Sequence, residues 1–317
     1  MEDYPKTLAE FERQFGTEES CRDYLFRVRW PDGFSCPHCQ GRQSWWRTRN
    51  TLLCSACRHE VSVLSGTIFQ DTHKPLTMWF RAMWWVTSQK TGASALGLQQ
   101  VLGLGSYRTA WAWLHKLRRA MVRPGRDRLS GQVEVDETYV GAKEEGRQGR
   151  EAGDKALVVI AAQEDGAKIG RIRMRRVPDA SARSLQGFVE EAVEPGSVVR
   201  TDGWAGYASL GKKGYTHDAS PQGRLGIPGA AEDLLPRVHR VVSLLKRWLL
   251  GTHHGAVSPE HLDYYLDEFT FRFNRRASQY RGKLFYRLVQ QATQVKPAPW
   301  VRLVKHVRGR EPASHKM

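Results

Sequence analysis

Four cysteines set the first chemistry open to this sequence. Cys36-Pro37-His38-Cys39 and Cys54-Ser55-Ala56-Cys57 are two C-x-x-C knuckles separated by fourteen residues. Each knuckle turns two thiolates to one side of a tight turn, and two such pairs complete a tetrahedral zinc shell. Four thiolates leave no position for water or substrate, so the zinc expected here is structural. A redox role would need only one pair, and His38 and His59 stand beside a shell that is already full. Cys21 reads as a buried thiol. Trp45, Trp46, Arg47 and Arg49 could stack on or neutralise nucleic acid, or could form the small core of a metal module.

The second chemistry is carried by carboxylates. Val133-Glu134-Val135-Asp136-Glu137-Thr138-Tyr139 reads as a central strand with an acid near its end, and Ser197-Val198-Val199-Arg200-Thr201-Asp202-Gly203 repeats the arrangement. Two aspartates on neighbouring strands can converge. Phosphodiester chemistry uses such convergence, because two divalent ions about 3.5–4 Å apart activate the attacking oxygen and stabilise the leaving one. An Asp before Gly is by itself a common turn residue, so the second motif has weight only beside the first. After Pro236, Val238 to Leu250 reads as a helix in which His239 and Lys246 lie seven residues apart. Two helical turns bring them onto one face. There a neutral imidazole could bind a metal and the ammonium a phosphate; without the aspartates they would read as a solvated His and a surface Lys. Glu134 and Glu137 flank Asp136 and could support it.

Composition narrows the partners. The 317 residues allow two or three domains, and the 40% apolar content with eleven Trp supports a sizeable core. Lys and Arg number 49 against 33 Asp and Glu, a formal charge of +16, which is costly to concentrate unless a polyanion neutralises it. Basic residues gather at Arg171 to Arg176, Lys246–Arg247, Arg272 to Arg287 and the C-terminal end. Nucleic acid is the expected partner. The N-terminal residues lack the apolar core of an export signal, and the longest apolar run, Ala156 to Ala162, is too short to span a bilayer. A cytoplasmic, nucleoid-associated protein is expected.

The elements that must position these residues fall into three stretches and a tail. Residues 1–70 carry a helical lead-in and short strands around the cysteines. Residues 71–125 read as helices at Pro75 to Thr87, Ser94 to Leu102 and Ser106 to Met121, closed by Pro124-Gly125. Residues 126–305 begin with strands at Gln132 to Val140, Lys155 to Gln163 and Lys168 to Val177. A helix (Ser181 to Val193), a strand (Ser197 to Thr201), a Gly/Pro-rich loop (Ser220 to Gly229) and long helices follow. Residues 306–317 read as a basic tail. The expected fold class is α/β, a mixed sheet with helices on its faces.

In the middle stretch, Gly103-Leu104-Gly105 separates two amphipathic helices, and Trp111, Leu114, Leu117 and Met121 recur at helical spacing in the second. This fits a helix-turn-helix whose second helix enters a major groove, although a plain helical linker would share the pattern. Arg108 and Thr109 are then expected near base edges, with Lys116, Arg118 and Arg119 on the same DNA-binding helix. Trp79, Trp84 and Trp85 read as core.

The two cysteine pairs, Thr91 to Met121, Val133 to Gly141, Arg200 to Tyr207 and the block Ser243 to Arg276 together carry a resemblance. The block is the most specific part, with Ser243-Leu-Leu-Lys-Arg247, Gly251-Thr252-His253, Tyr265-Leu-Asp-Glu-Phe269 and Arg272-Phe-Asn-Arg-Arg276. Over nearly its whole length the chain resembles the insertion-sequence transposases of the insertion sequence 1595 type, which join an N-terminal zinc ribbon to a ribonuclease-H-like catalytic domain. The resemblance implies an active-site pattern of Asp, Asp, an acid or amide, and a Lys seven positions later. Here that pattern falls on Asp136, Asp202, His239 and Lys246, with magnesium or manganese held by the first three. His239 stands where many relatives have Glu or Asn, which removes a negative charge and favours manganese more than a carboxylate would. Glu232, Asp233, Asp263 and Glu268 are alternative acids, but only His239 keeps the helical register with Lys246. The implied reaction is cleavage at the element's ends and joining of the freed 3′-hydroxyl to target DNA, by a homo-oligomer assembled on double-stranded DNA. A DNA-binding relic with a decayed site, and a nuclease or resolvase that cuts without joining, are the rival readings.

Overall fold

Ala156 to Ala162 has no polar side chain, and it becomes a strand with both faces sealed: Val158 to Ala162 are each 0% exposed. A strand buried on both sides requires helices above and below its sheet, and the surrounding chain supplies them. The computed structural model describes residues 3–123, 125–141, 155–219, 235–253 and 257–304. Pro124, the 220–229 loop, Glu232, Asp233 and the 306–317 tail lie outside them.

The chain divides into two compact units, Met1–Gly125 with Ala277–Met317, and Arg126–Arg276. The second unit closes at Arg276. Its sheet contains β4 (Gln132–Val140), β5 (Ala156–Asp165), β6 (Lys168–Val177), β7 (Val198–Thr201) and β8 (Thr216–Ala219), in the order β6-β5-β4-β7-β8. Strands β4, β5 and β6 form an antiparallel meander, while β7 joins β4 and β8 joins β7 in parallel. This is the mixed α/β sheet expected of a ribonuclease-H-like domain. Alternation along the strands divides the core in two. Val133, Val135, Val159, Ala161 and Val199 pack with α6 (Ala182–Ala192) on one face. Val140, Val158, Ile160, Ile172 and Met174 pack with α7 (Pro236–His253) and α8 (Leu262–Phe273) on the other. Strand β8, Thr-His-Asp-Ala, has no apolar alternation and was not expected from sequence; it is fixed by pairing with β7 and by the Arg200–Asp218 ion pair at 2.8 Å.

In the first unit, α1 (Leu8–Gln14) and α2 (Glu18–Arg29) lead into a three-stranded antiparallel sheet of β1 (Ser44–Thr48), β2 (Thr51–Cys54) and β3 (Glu60–Ser62). Helices α3 (Leu76–Ser88), α4 (Ala95–Leu102) and α5 (Tyr107–Ala120) follow, and α9 (Arg281–Ala292) and α10 (Trp300–Val304) return to pack on α3 and α5. Phe11, Phe15, Phe80 and Phe285 make one aromatic cluster with ring separations of 4.9–5.7 Å. Helix α3 begins at Pro75 and lacks a cap of its own; Glu18 accepts the N–H groups of Leu76 and Thr77 at 2.9 and 2.8 Å. A carboxylate on these orphan donors also complements the helix dipole. Cys21 is fully buried, its thiol pushed up to about 12 by burial. Trp79 and Trp84 are core residues, as expected. Among the described residues, no helix is long and apolar enough to cross a membrane.

Candidate functional site

The cysteine knuckles lie at the ends of the β1–β2 hairpin, and the sulfurs of Cys36, Cys39, Cys54 and Cys57 all fall within 4.8 Å of one another. Zinc–sulfur arms of about 2.3 Å at tetrahedral angles would separate the sulfurs by about 3.8 Å. Cys36 and Cys57 are 3.7 Å apart, and Cys39 and Cys54 are 3.6 Å apart, so the four thiols already have the spacing of a zinc shell. The residue after each second cysteine, Gln40 and Arg58, adopts positive φ of 62° and 60°, which bends the chain around the cluster. Gly41 is required by contact: a Cβ there would lie 3.2–3.3 Å from the sulfurs of Cys54 and Cys39. The thiols act on one another: the Cys57 N–H lowers the Cys54 thiol, whereas the His59 N–H on Cys57 is outweighed by the side chain of Cys39, burial and the side chains of Cys36 and Cys54, which raise the Cys57 thiol. His38 and His59 stack on each other at 5.3 Å, outside the four-sulfur cluster.

The acidic site is built by strand register. Pairing of β4 with β7 places Val133 opposite Val199 and Glu134 opposite Arg200; Asp136 follows two residues later on β4, and Asp202 is the residue after β7 ends at Thr201, near enough for its charge to act on Asp136. Alternation along β4 puts Asp136 on the α7 face of the sheet, opposite the face bearing Val135. Asp202 then leaves the strand. Its Oδ1 accepts the N–H of Trp204 at 2.9 Å, and Gly203, at φ 82°, turns the chain away in a conformation that suits glycine. Asp136 Oδ1 accepts the Glu137 N–H at 2.8 Å, and its Oδ2 lies 3.5 Å from His239 Nε2 on α7. The Asp136 side chain is 15% exposed. Burial, then the charges of Glu137 and Asp202, push its carboxyl up to about 7, with His239 and the Glu137 N–H acting in the other direction. Asp136 and His239 are thus brought together, with the charge of Asp202 nearby; among the described residues, the side chains that close to metal-ligand spacing are the four cysteines.

Glu134 and Glu137 take different parts. Glu134 is 2% exposed, and it accepts the N–H groups of Arg237 and Val238 at 2.8 and 2.9 Å while pairing with the Arg237 guanidinium at 3.0 Å. It caps α7, which starts on Pro236, and so fixes the helix that presents His239. Arg237 also reaches Glu164 at 2.6 Å. Glu137 points to the opposite face and accepts from Tyr207 at 2.8 Å; burial, then Glu137, push the Tyr207 hydroxyl well above its ordinary value. Sequence reasoning did not single out Arg237 or Tyr207, because each acts through a partner some 70–100 residues away. Lys246 is exposed two turns along α7 from His239; burial, then the like charge of Lys155, lower its ammonium. Asp263 pairs with Arg176, and the fully buried Glu268 pairs with Arg272.

The expected DNA-facing helix is more buried than its pattern implied. Ser94 caps α4 through the Gly97 N–H at 3.0 Å, and Gly103 ends it in the left-handed conformation, giving the helix-turn-helix arrangement with α5. Arg108 is exposed and Thr109 half-buried, but Arg118 is 2% exposed and donates to the Ala93 carbonyl at 3.3 Å. Arg118 therefore ties α5 to the segment before α4 and does not face solvent. Arg119 is half-buried, and burial lowers the Lys116 ammonium. Helix α5 packs against α4, α9 and α10, and residues Ser106 to Arg108 at its start are exposed. Arg108, Thr109 and Lys116 line a groove of about 290 Å³ with Ala112, Trp113, Trp300 and Leu303.

Residues 128–274 match the family described as the ISXO2-like transposase domain, and residues 16–60 match the transposase zinc-ribbon domain. An uncharacterized protein in transposable element ISH50 of Halobacterium salinarum is 26% identical over 284 residues, covering 82% of this chain and 92% of that protein. The two matched domains together span more than half of the chain, in the order that its motifs set, and the chain belongs to the zinc-ribbon insertion-sequence transposases of the insertion sequence 1595 type.

Proposed function

We propose that this protein is an active transposase that recognises the ends of its element and cuts and rejoins DNA with divalent cations, magnesium or manganese, held by Asp136, Asp202 and His239. The reading is supported by one observation: His239 Nε2 stands 3.5 Å from Asp136 Oδ2, beside the end of a β7 strand that pairs with β4 and leads into Asp202. The cations would activate the attacking oxygen and stabilise the leaving one. Asp136 and Asp202 supply the negative charge that holds them, each with one carboxylate oxygen already fixed by a backbone N–H. His239 serves as the third ligand or orients the attacking water, and Lys246, further along α7, contacts the DNA backbone. Arg108 and Thr109, at the start of α5, read base edges at the element's terminus. Domains acting in this way would be the zinc ribbon to residue 70, the helix-turn-helix to residue 125 and the catalytic sheet from residue 126.

The test is cleavage and joining of a labelled duplex taken from the DNA flanking the gene, with magnesium or manganese. Asp136→Asn and Asp202→Asn are expected to lower cleavage by on the order of 10³-fold, ~4 kcal/mol of barrier, while leaving duplex binding intact. Full cleavage by Asp136→Asn removes that residue from its role. Cleaved ends without joined products assign the chain to the nucleases instead. A high rate in His239→Ala shows the imidazole to be dispensable.

A further inference from the structure

Strand β7 ends at Thr201, and its pairing with β4 closes at Glu134 and Arg200, two residues short of Asp136 and of Asp202. The β4–β7 ladder therefore stops before it reaches either carboxylate. The chain after Asp202 is fixed from elsewhere. The Trp204 indole N–H donates to the Ala180 carbonyl at 3.0 Å, and the Gln186 amide on α6 donates to the Gly206 carbonyl at 2.9 Å. Gly206 lies so close to this support that a Cβ would stand 2.8 Å from Leu185 Cδ1 and 2.9 Å from the Ala180 carbonyl oxygen. These contacts hold the turn Ala205–Tyr207 against α6 and the residues before it. Tyr207 adds a contact of another kind. Its hydroxyl donates to Glu137 Oε2 at 2.8 Å, and Glu137 is the β4 residue next to Asp136.

A path of hydrogen bonds thus joins the two aspartates. Asp202 Oδ1 accepts the Trp204 N–H at 2.9 Å, Tyr207 follows three residues later and reaches Glu137, and the Glu137 N–H donates to Asp136 Oδ1 at 2.8 Å. The middle bond spans the gap that the ladder leaves open. Tyr207 is 0% exposed, and it packs with Leu185, Val189 and Leu210 in the core on the α6 side, where a phenylalanine ring would fill nearly the same volume with no polar group to satisfy. A hydroxyl there offsets its lost hydration only through the bond it makes. Being buried on the face opposite Asp136, Tyr207 reaches that site through Glu137 and the backbone alone.

We infer that Tyr207 is a positioning residue: its hydrogen bond to Glu137 clasps the turn after β7 to β4, beyond the last ladder pair, and sets how closely Asp202 approaches Asp136 when a divalent cation draws the two carboxylates together. The clasp rests on the reading of Asp136 and Asp202 as cation ligands and deepens it. Groups that orient metal ligands without touching the metal are worth about 10–100-fold in affinity.

The experiment titrates manganese into the full, zinc-loaded chain and follows the free ion by electron paramagnetic resonance. Tyr207→Phe keeps the ring and removes the clasp, and should weaken manganese binding by about 10–100-fold. Tyr215→Phe removes another hydroxyl from the same core, one that donates to the Val193 carbonyl at 3.2 Å, and should keep wild-type affinity. Glu137→Met breaks the clasp from the β4 side and should also weaken binding, with Y207F/E137M no weaker than E137M alone. Half-maximal cleavage by Y207F should need manganese raised by the same factor as its binding, with KM for the duplex unchanged. Wild-type manganese affinity in Y207F, an equal loss in Tyr215→Phe, or an additive loss in Y207F/E137M overturns the clasp. Manganese binding that Asp136→Asn leaves intact overturns the reading of the site and the clasp with it; binding that Asp136→Asn weakens and Y207F does not overturns the clasp alone.

Discussion

The zinc ribbon and the acidic site proposed to hold divalent cations both draw on several side chains, but they do so from opposite directions. In the ribbon the four sulfurs come from residues 36 to 57, and tight turns place each pair almost without help from the rest of the chain. In the sheet, Asp136, Asp202 and His239 come from two strands and a helix, and their positions depend on a register and a helix cap. The ribbon is folded around its ligands, whereas the acidic site is an outcome of a fold that stands without one. Removing metal should therefore unfold the first and spare the second.

The largest effect expected from this contrast is on zinc. Structural zinc sites of this type carry apparent binding free energies of ~10–16 kcal/mol, most of it folding free energy. Chelation, or Cys57→Ser, should abolish stoichiometric zinc and melt the ribbon's tryptophan signal from Trp45 and Trp46, while the sheet unit still unfolds cooperatively at its own temperature. Loss of both transitions together would erase the contrast.

Next comes the cap of α7. Glu134→Ala leaves Arg237 without its buried partner and two helix N–H groups without an acceptor, and should cost about 3–5 kcal/mol in denaturant unfolding of the sheet unit. Glu134→Gln, which keeps an acceptor, should cost less. Equal stability of all three proteins would mean that α7 is held by packing alone.

A smaller effect follows from Asp136. Its folded carboxyl sits at about 7 against an ordinary 3.8, so the folded state binds the proton more tightly than the unfolded chain does. Stability of the metal-free protein should then fall as pH rises from the ordinary carboxylate range through 7. Metal-free Asp136→Asn should be more stable than wild type at pH 8 by on the order of 2 kcal/mol, with the difference closing near pH 4. Added manganese should raise the melting temperature of wild type and not of the variant. A pH-independent difference would show that Asp136 is not crowded by its neighbours.

The smallest effect belongs to the first unit. Burial raises the Glu18 carboxyl, but the N–H of Thr77, its hydroxyl, the N–H of Leu76 and the Arg49 charge outweigh it and leave the group below its ordinary value. Its contribution is present above the ordinary carboxylate range and lost as pH falls through the lowered one. Glu18→Gln should cost about 1 kcal/mol at pH 7 and close to nothing in strong acid, measured by denaturant unfolding.

The same contrast explains what could be read before folding. Two cysteine knuckles name their own partners, because ligand type, number and spacing are all local. Strands β4, β5 and β6 were legible as strand-like runs separated by turns, and α6 as a helix; β8 was not, since Thr216 to Ala219 belongs to the sheet through pairing rather than composition. Asp136, Asp202 and His239 were candidates in sequence, but their approach depends on which residue of β7 stands beside which residue of β4. Arg118 shows the reverse failure: its type and place on an amphipathic helix pointed outward, and the packing of α5 against its neighbours turned it toward a carbonyl. The return of residues 277–304 to the first unit had no local signature at all, because it is written in the fit of Phe285 among distant rings.

The parallel pairing of β4 and β7 also governs which changes of length this lineage can survive. The chain between the two strands runs from Gly141 to Ser197, and residues can be gained or lost in its turns while the pairing stays in phase. Within Val198 to Thr201 a single added or deleted residue would swing the later side chains of β7 to the other face of the sheet. Drift in this family should therefore accumulate as variable connections around strands of fixed length, with the distance from β7's first residue to its aspartate as the ruler that cannot stretch.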